Sequence, residues 1–198
     1  MRLKRANFFV RPGETFQRLV RWEVPPLVYK AISNIGNVAP ARITATGHGV
    51  PDGWRVAVQS VIGMDEINAR NDPLEDDDFI PATLIDANTL DLNSINAADF
   101  APYVSGGYVV YHALPSFAGC SAQMVWTDPF TGDVLLTLST GNSRITLDDT
   151  AKTIALFVSA TDTQALTFTV EAEHRLTLTD GSGVVTPILR GNVILDLT

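Results

Sequence analysis

Val170-Glu171-Ala172-Glu173-His174-Arg175-Leu176-Thr177-Leu178-Thr179 sets Val170, Ala172, His174, Leu176 and Leu178 against Glu171, Glu173, Arg175, Thr177 and Thr179. Successive side chains of a strand point to opposite faces, so one mainly apolar set alternating with one polar set reads as a half-buried strand. The same period recurs upstream. Cys120, Ala122, Met124 and Trp126 alternate with Ser121, Gln123 and Thr127, and Val134, Leu136 and Leu138 share their segment with Thr137 and Ser139.

Turn chemistry separates these runs: Asp128-Pro129-Phe130-Thr131-Gly132-Asp133, Gly141-Asn142, Asp148-Asp149 and Asp180-Gly181-Ser182-Gly183. Further strands are expected at Arg144 to Leu147, Ile154 to Val158, Val184 to Leu189 and Val193 to Leu197, with one helical turn at Ser159 to Gln164. Gly191-Asn192 is expected to separate the last two. Short alternating strands with turns every ~8–12 residues are the mark of an all-β sandwich or barrel.

Toward the N-terminus, Lys4 to Val10 and Thr15 to Glu23 read as two strands joined by Arg11-Pro12-Gly13-Glu14. Val24-Pro25-Pro26 should stop the ladder, because proline supplies no N–H, and Leu27-Val28-Tyr29 resumes an extended segment. Ser33 to Pro40, rich in Asn, Gly and Pro, marks a boundary. Two N-terminal strands cannot close a sheet, and the strands after Phe117 lack a partner at one edge. The two parts are therefore expected to form one discontinuous sandwich, residues 1–35 and 114–198, with residues 36–113 inserted as a second small β unit. Within the insertion, Ile43-Thr44-Ala45-Thr46, Arg55-Val56-Ala57-Val58, an Ala82 to Leu92 hairpin and Tyr108 to His112 are strand-like. Gly63 to Asn68 fits a helical turn with Glu66 and Asn68 exposed, and Asp72 to Asp78 a polar loop.

The bulk composition narrows the function classes. The 198 residues are 45% apolar and 18% charged, as in a globular protein, and the net charge is −8. Such acidity repels phosphate backbones and anionic lipid, so neither nucleic acid nor membrane is an expected partner. The local exception is a group of six cations, Arg2, Lys4, Arg5, Arg11, Arg18 and Arg21, which reads as a solvated strand face or a dock for an acidic surface. Cys120 is the only cysteine, which rules out an intrachain disulfide and fits a small buried hydrophobe. No apolar run approaches the ~18–20 residues of a membrane span, and the N-terminus lacks the apolar segment of a signal peptide. The expectation is a soluble chain.

Residues able to carry chemistry are scattered. His48, His112 and His174 lie in separate segments without a second ligand at zinc spacing, and His174 falls on an apolar face as a core histidine would. His48, between Gly47 and Gly49, suits a turn. Glu75-Asp76-Asp77-Asp78 lacks the alternation and glycine of a calcium loop and reads as a solvated acidic loop. No nucleophile elbow, phosphate loop or dinucleotide fingerprint occurs. No catalytic, cofactor-binding or metal-binding residue is assigned, no cofactor is expected, and the chain is not expected to be an enzyme.

Spaced motifs do point to a family. Ile43-Thr44, Gly47-His48-Gly49-Val50, Asp52-Gly53, Val56 and Val61-Ile62-Gly63-Met64-Asp65-Glu66-Ile67-Asn68 resemble the first catalytic-cysteine half-domain (FCCH) of ubiquitin-activating enzymes, a small β-barrel. Bacteriophage tail proteins carry a similar module, which continues there as here with Asn88-Thr89-Leu90-Asp91-Leu92 and Tyr103-Val104-Ser105-Gly106-Gly107. The resemblance covers ~70 residues and implies a reused module without the activating chemistry, whose adenylation domain and catalytic cysteine a 198-residue chain has no room for. The flanks, among them Gly119-Cys120-Ser121-Ala122-Gln123-Met124, Ile145-Thr146-Leu147 and Asp180-Gly181 to Gly191-Asn192-Val193, are similar to an immunoglobulin-like domain of phage baseplate and fibre-attachment proteins. His174-Arg175-Leu176 departs from that pattern where a tyrosine is expected.

The resemblance implies an all-β chain, an immunoglobulin-like β-sandwich with an inserted small β-barrel. It further implies a structural protein of a tailed phage virion, at the tail, collar or baseplate, that attaches fibres or links tail components. Its expected partners are other virion proteins (tail, connector or fibre subunits) and further copies of itself in a symmetric homo-oligomer, assembled in the host bacterial cytoplasm. The alternative is a carbohydrate-binding module or small polysaccharide-active protein, motivated by the sandwich and by Trp54, Trp22, Tyr103 and Tyr108 as stacking faces.

Overall fold

Alternation becomes sheet wherever the sequence carries it. A computed structural model describes residues 4–166 and 171–196; Arg2, Val170 and Leu197 of the segments above lie outside them. In chain order the strands are β1 (Lys4–Arg5), β2 (Phe8–Val10), β3 (Phe16–Val20), β4 (Val24–Ala31), β5 (Asn34–Gly36), β6 (Ala41–Thr44), β7 (Arg55–Ile62) and β8 (Ile80–Asp86). They continue as β9 (Thr89–Leu92), β10 (Ser105–Ala113), β11 (Ser121–Thr127), β12 (Val134–Ser139), β13 (Ile145–Asp148), β14 (Thr153–Val158), β15 (Ala172–Thr179) and β16 (Val185–Leu195). The α-helical turn α1 spans Ala160–Gln164 and is capped by the Ser159 hydroxyl, which accepts from the Asp162 N–H.

The strands divide into two units, one formed by residues up to Trp22 and from Ser116 onward, the other by Glu23–Pro115. The first is an all-β sandwich. One sheet runs β1-β16-β15-β11-β12 with β2 also on β16, and the other runs β13-β14-β3. Met124, Trp126, Leu138, Leu176 and Leu178 from the first sheet meet Phe16, Ile154, Leu156 and Val158 from the second in one buried cluster. This order is that of the immunoglobulin fold: β16, β15 and β11 stand as strands G, F and C, and β3, β14 and β13 as B, E and D. The inserted unit occupies the connection between B and C.

In place of the inter-sheet disulfide of antibody domains, a run of aromatic contacts spans this core. Trp126 meets Phe16 edge-on at 5.9 Å, Phe16 meets Phe8 edge-on at 5.4 Å, and Phe8 stacks on His174 at 4.5 Å.

The second unit is a seven-stranded sheet in the order β4-β10-β7-β8-β9-β6-β5. Its end strands β4 and β5 are separated in the chain only by Ile32 and Ser33, so the sheet bends back on itself around Ile43, Trp54, Met64, Leu90 and Leu92. The boundary expected at residue 35 therefore moves to Trp22/Glu23, because β4 and β5 pair with β10 and β6 inside this unit.

Two local expectations are corrected. Pro25 and Pro26 do not end a strand: β4 lies at the end of its sheet, and the register jumps from His112↔Leu27 to Ala113↔Val24, so a bulge absorbs both prolines. Gly191-Asn192 is not a break either, since β16 runs through it. A Cβ on Gly191 would stand 1.9 Å from the Ala6 carbonyl oxygen, so here glycine permits close approach of the N-terminal segment instead of a turn.

That clash fixes an expected outcome. Gly191→Ala should push Ala6 off β16 and lower unfolding stability by roughly 2–3 kcal/mol, read from the shift of the denaturant midpoint.

Candidate interaction surfaces

The residues behind the family resemblance serve the backbone of the inserted unit. His48 is 1% exposed; its Nδ1 accepts from the Val50 N–H at 3.0 Å, which places the proton on Nε2, 3.0 Å from the Asp86 carbonyl. The Tyr111 hydroxyl donates to the His48 carbonyl at 2.6 Å, and burial raises the Tyr111 pKa. Asn68, expected to be exposed, is half-buried. Its side chain accepts from the Val61 N–H at 2.8 Å and donates to the Val61 carbonyl at 3.0 Å, as a neighbouring strand would. Glu66 is exposed, within reach of the Ala101 N–H.

Charged residues of this unit are held in pairs. Arg55 forks onto buried Glu23, with Nε 2.7 Å from one carboxylate oxygen, and its Nη2 also reaches Asp76 at 2.8 Å. Arg42 forks onto Asp91 at 2.7 and 2.8 Å and holds that carboxyl below its ordinary pKa. The acidic run splits among separate tasks: Asp76 faces Arg55, while Asp78 accepts from the N–H groups of Glu75 and Arg70, which lower its pKa. Among the described residues no group of three His, Cys, Asp or Glu side chains converges as metal ligands.

Tryptophan gives no sugar platform at the expected position. Trp54 is 0% exposed in the core of the inserted unit, and Trp22 packs half-buried against the sandwich core. Tyr103 is half-buried with its hydroxyl bonded to the Ile32 and Gly106 carbonyls. Tyr108 is exposed, edge-on to Tyr29 at 6.0 Å. Cys120 is half-buried, and desolvation raises its pKa, which keeps it a thiol.

Among the described residues the N-terminal cations have different neighbours. Arg11 pairs with Asp196 at 2.9 Å, and Arg18 lies over the Phe16 ring at 5.2 Å. Arg5 instead joins residues far away in sequence. β1 runs parallel to β16 with Arg5 opposite Arg190, and β15 runs antiparallel on the other side with Arg175 opposite Arg190. All three arginines are exposed. None forms an ion pair among the described residues. Like charges directly across a ladder repel, so this row costs the sheet stability. A cleft of about 520 Å³ adjoins it, lined by Arg5, Asn7, Glu173, Arg190 and Asn192, with His174 and Gly191 in its wall.

His174 is the anchor beneath that cleft. It is 2% exposed, and its Nε2 donates to the Ala6 carbonyl at 2.7 Å across the space that Gly191 leaves open. Nδ1 is buried without a hydrogen-bond partner. Burial lowers the His174 pKa, and the bond to Ala6 offsets part of that.

No protein-family model matches the chain, and no curated protein matches it.

Two outcomes follow from burial. The folded state holds His174 below the ordinary imidazole pKa of about 6.5. Its contribution is therefore intact above that value and is lost as acidification forces a proton onto the buried ring. Melting temperature should fall from pH 7 to pH 5 in the wild type and less steeply in His174→Gln. Trp54→Ala should act through the core, costing roughly 3–5 kcal/mol of stability in a denaturation series.

Proposed function

We propose that the chain is a structural component of a tailed bacteriophage virion, a tail, collar or baseplate protein that joins fibre or tail parts by protein–protein contacts. One observation carries this reading. The spaced residues similar to the module of phage tail proteins, from His48 through Asn68 to Tyr103, spend their polar atoms on the inserted unit's own backbone. What they build is a β unit braced by its own side chains. The barrel character of the inserted unit belongs to the same proposal, with the covalent link between β4 and β5 standing in for a closing ladder.

Sandwich topology supports the reading as well. The insertion leaves the immunoglobulin-like sheets through the B–C connection, the position of a binding loop in antibody variable domains, so the fold can carry a second module without disturbing its core. Partners are other virion proteins and further copies of this chain. The carbohydrate-binding alternative has lost Trp54 as its stacking face and keeps only Tyr108 with Tyr29.

Mass spectrometry of purified particles from an infection in which this chain is expressed is the direct test. The polypeptide is expected at stoichiometric abundance in mature virions, and its absence would overturn the reading.

A further inference from the structure

Net charge divides unevenly along the chain. Glu23–Pro115 contains twelve acidic and four basic residues and so carries the whole net charge of −8; the remaining residues hold ten of each sign. Exposed acids of that unit lie together in sequence at its two short 3-10 turns, Asp65 and Glu66 on one, Glu75, Asp76 and Asp77 at the other. A second cleft, of about 370 Å³, is lined by Glu66, Asn68, Arg70, Asp77 and Asp78 among others. Of the exposed acids at the two turns, Asp76 has Arg55 as an ionic partner, and among the described residues Asp77 meets the Asn71 amide at 3.4 Å.

The sandwich presents the opposite surface. Arg5, Arg190 and Arg175 stand in one row across three strands, unpaired and mutually repelling, beside a cleft. A solvated face gains nothing from placing three guanidinium groups opposite one another, and a docked polyanionic surface converts that repulsion into attraction. Glu173, on the same face and in the same cleft, and Glu171, which bonds Asn192, bound the row on one side. They limit the positive field to the three arginines.

We propose that the Arg5–Arg190–Arg175 row docks the acidic turns, Asp65–Glu66 and Glu75–Asp77, of a second copy of this chain. The contact joins two different surfaces, so repetition builds a ring or a filament. This deepens the homo-oligomer in the function proposed above, and it stands or falls independently of the virion assignment. Individual exposed ion pairs are weak, and the contact is strong only where several act together and salt is low.

Analytical ultracentrifugation of the full chain tests it. The wild type is expected to assemble in about 0.05 M NaCl and to dissociate in about 1 M, where screening reaches roughly 3 Å. R175E/R190E and the milder R175Q/R190Q should both sediment as monomers at low salt, and R175Q/R190Q should melt no lower than the wild type, because it removes the like charges from that cross-strand pair. E75K/D77K should also be monomeric, and an equimolar mixture of E75K/D77K with R175E/R190E should assemble again. A wild type that stays monomeric at low salt would overturn the proposal, as would assembly that survives both arginine variants. Failure of the charge-swapped mixture would overturn it too and assign the arginines to an acidic partner other than this chain.

Discussion

The bond from His174 to the Ala6 carbonyl, made through the gap at Gly191, is the constraint on which the sandwich depends. β1 and β2 are short and run parallel to β16, so their few ladder bonds hold them weakly. His174 adds a buried hydrogen bond from below and a stacked contact with Phe8. Phe8 then passes the packing to Phe16 and Trp126. The N-terminal segment thereby covers one end of the sheet and sets Arg5 opposite Arg190. The opposite end is closed by other means: at β12 the Asn142 and Arg144 side chains bond the Thr137 carbonyl, and Asn142 accepts from the Ser139 N–H, which occupies groups that could template another strand.

The inserted unit is built on a different device. Its turns and 3-10 segments leave backbone groups that no ladder reaches, and polar side chains take the missing places. Asn68 substitutes for a strand at Val61, His48 spans Val50 and Asp86, and Asn88 accepts from the Gly47 N–H at 2.9 Å. Buried polar groups cost free energy unless satisfied, so each residue is tied to its position by the backbone it serves. This explains why His48, which the sequence reads as a turn residue, is architectural.

Much of the fold was legible in the sequence. Period-two alternation in Ser121–Thr127 and in the segment through His174 fixed those strands and their buried faces, because burial acts on every second residue. The hairpin at Asp86 to Thr89 followed from local turn chemistry, and one helical turn was expected where α1 stands. Local rules failed where a distant segment intervened. Gly191 reads as a turn until Ala6 is seen against it, and Pro25-Pro26 reads as a stop until β4 is seen at the end of its sheet with a bulge opposite.

The sequence by itself determined an all-β chain, its apolar and polar faces, the core place of His174 and the concentration of negative charge in the middle of the chain. These follow from side-chain spacing and composition, which are local properties. Only the tertiary structure decided that β4 and β5 belong to the inserted unit, that Trp54 is sealed in a core, and that Arg5 meets Arg190 and Arg175 across three strands. The last of these joins residues more than 160 positions apart through parallel and antiparallel register, and register is set by which strands pair in the folded sheet.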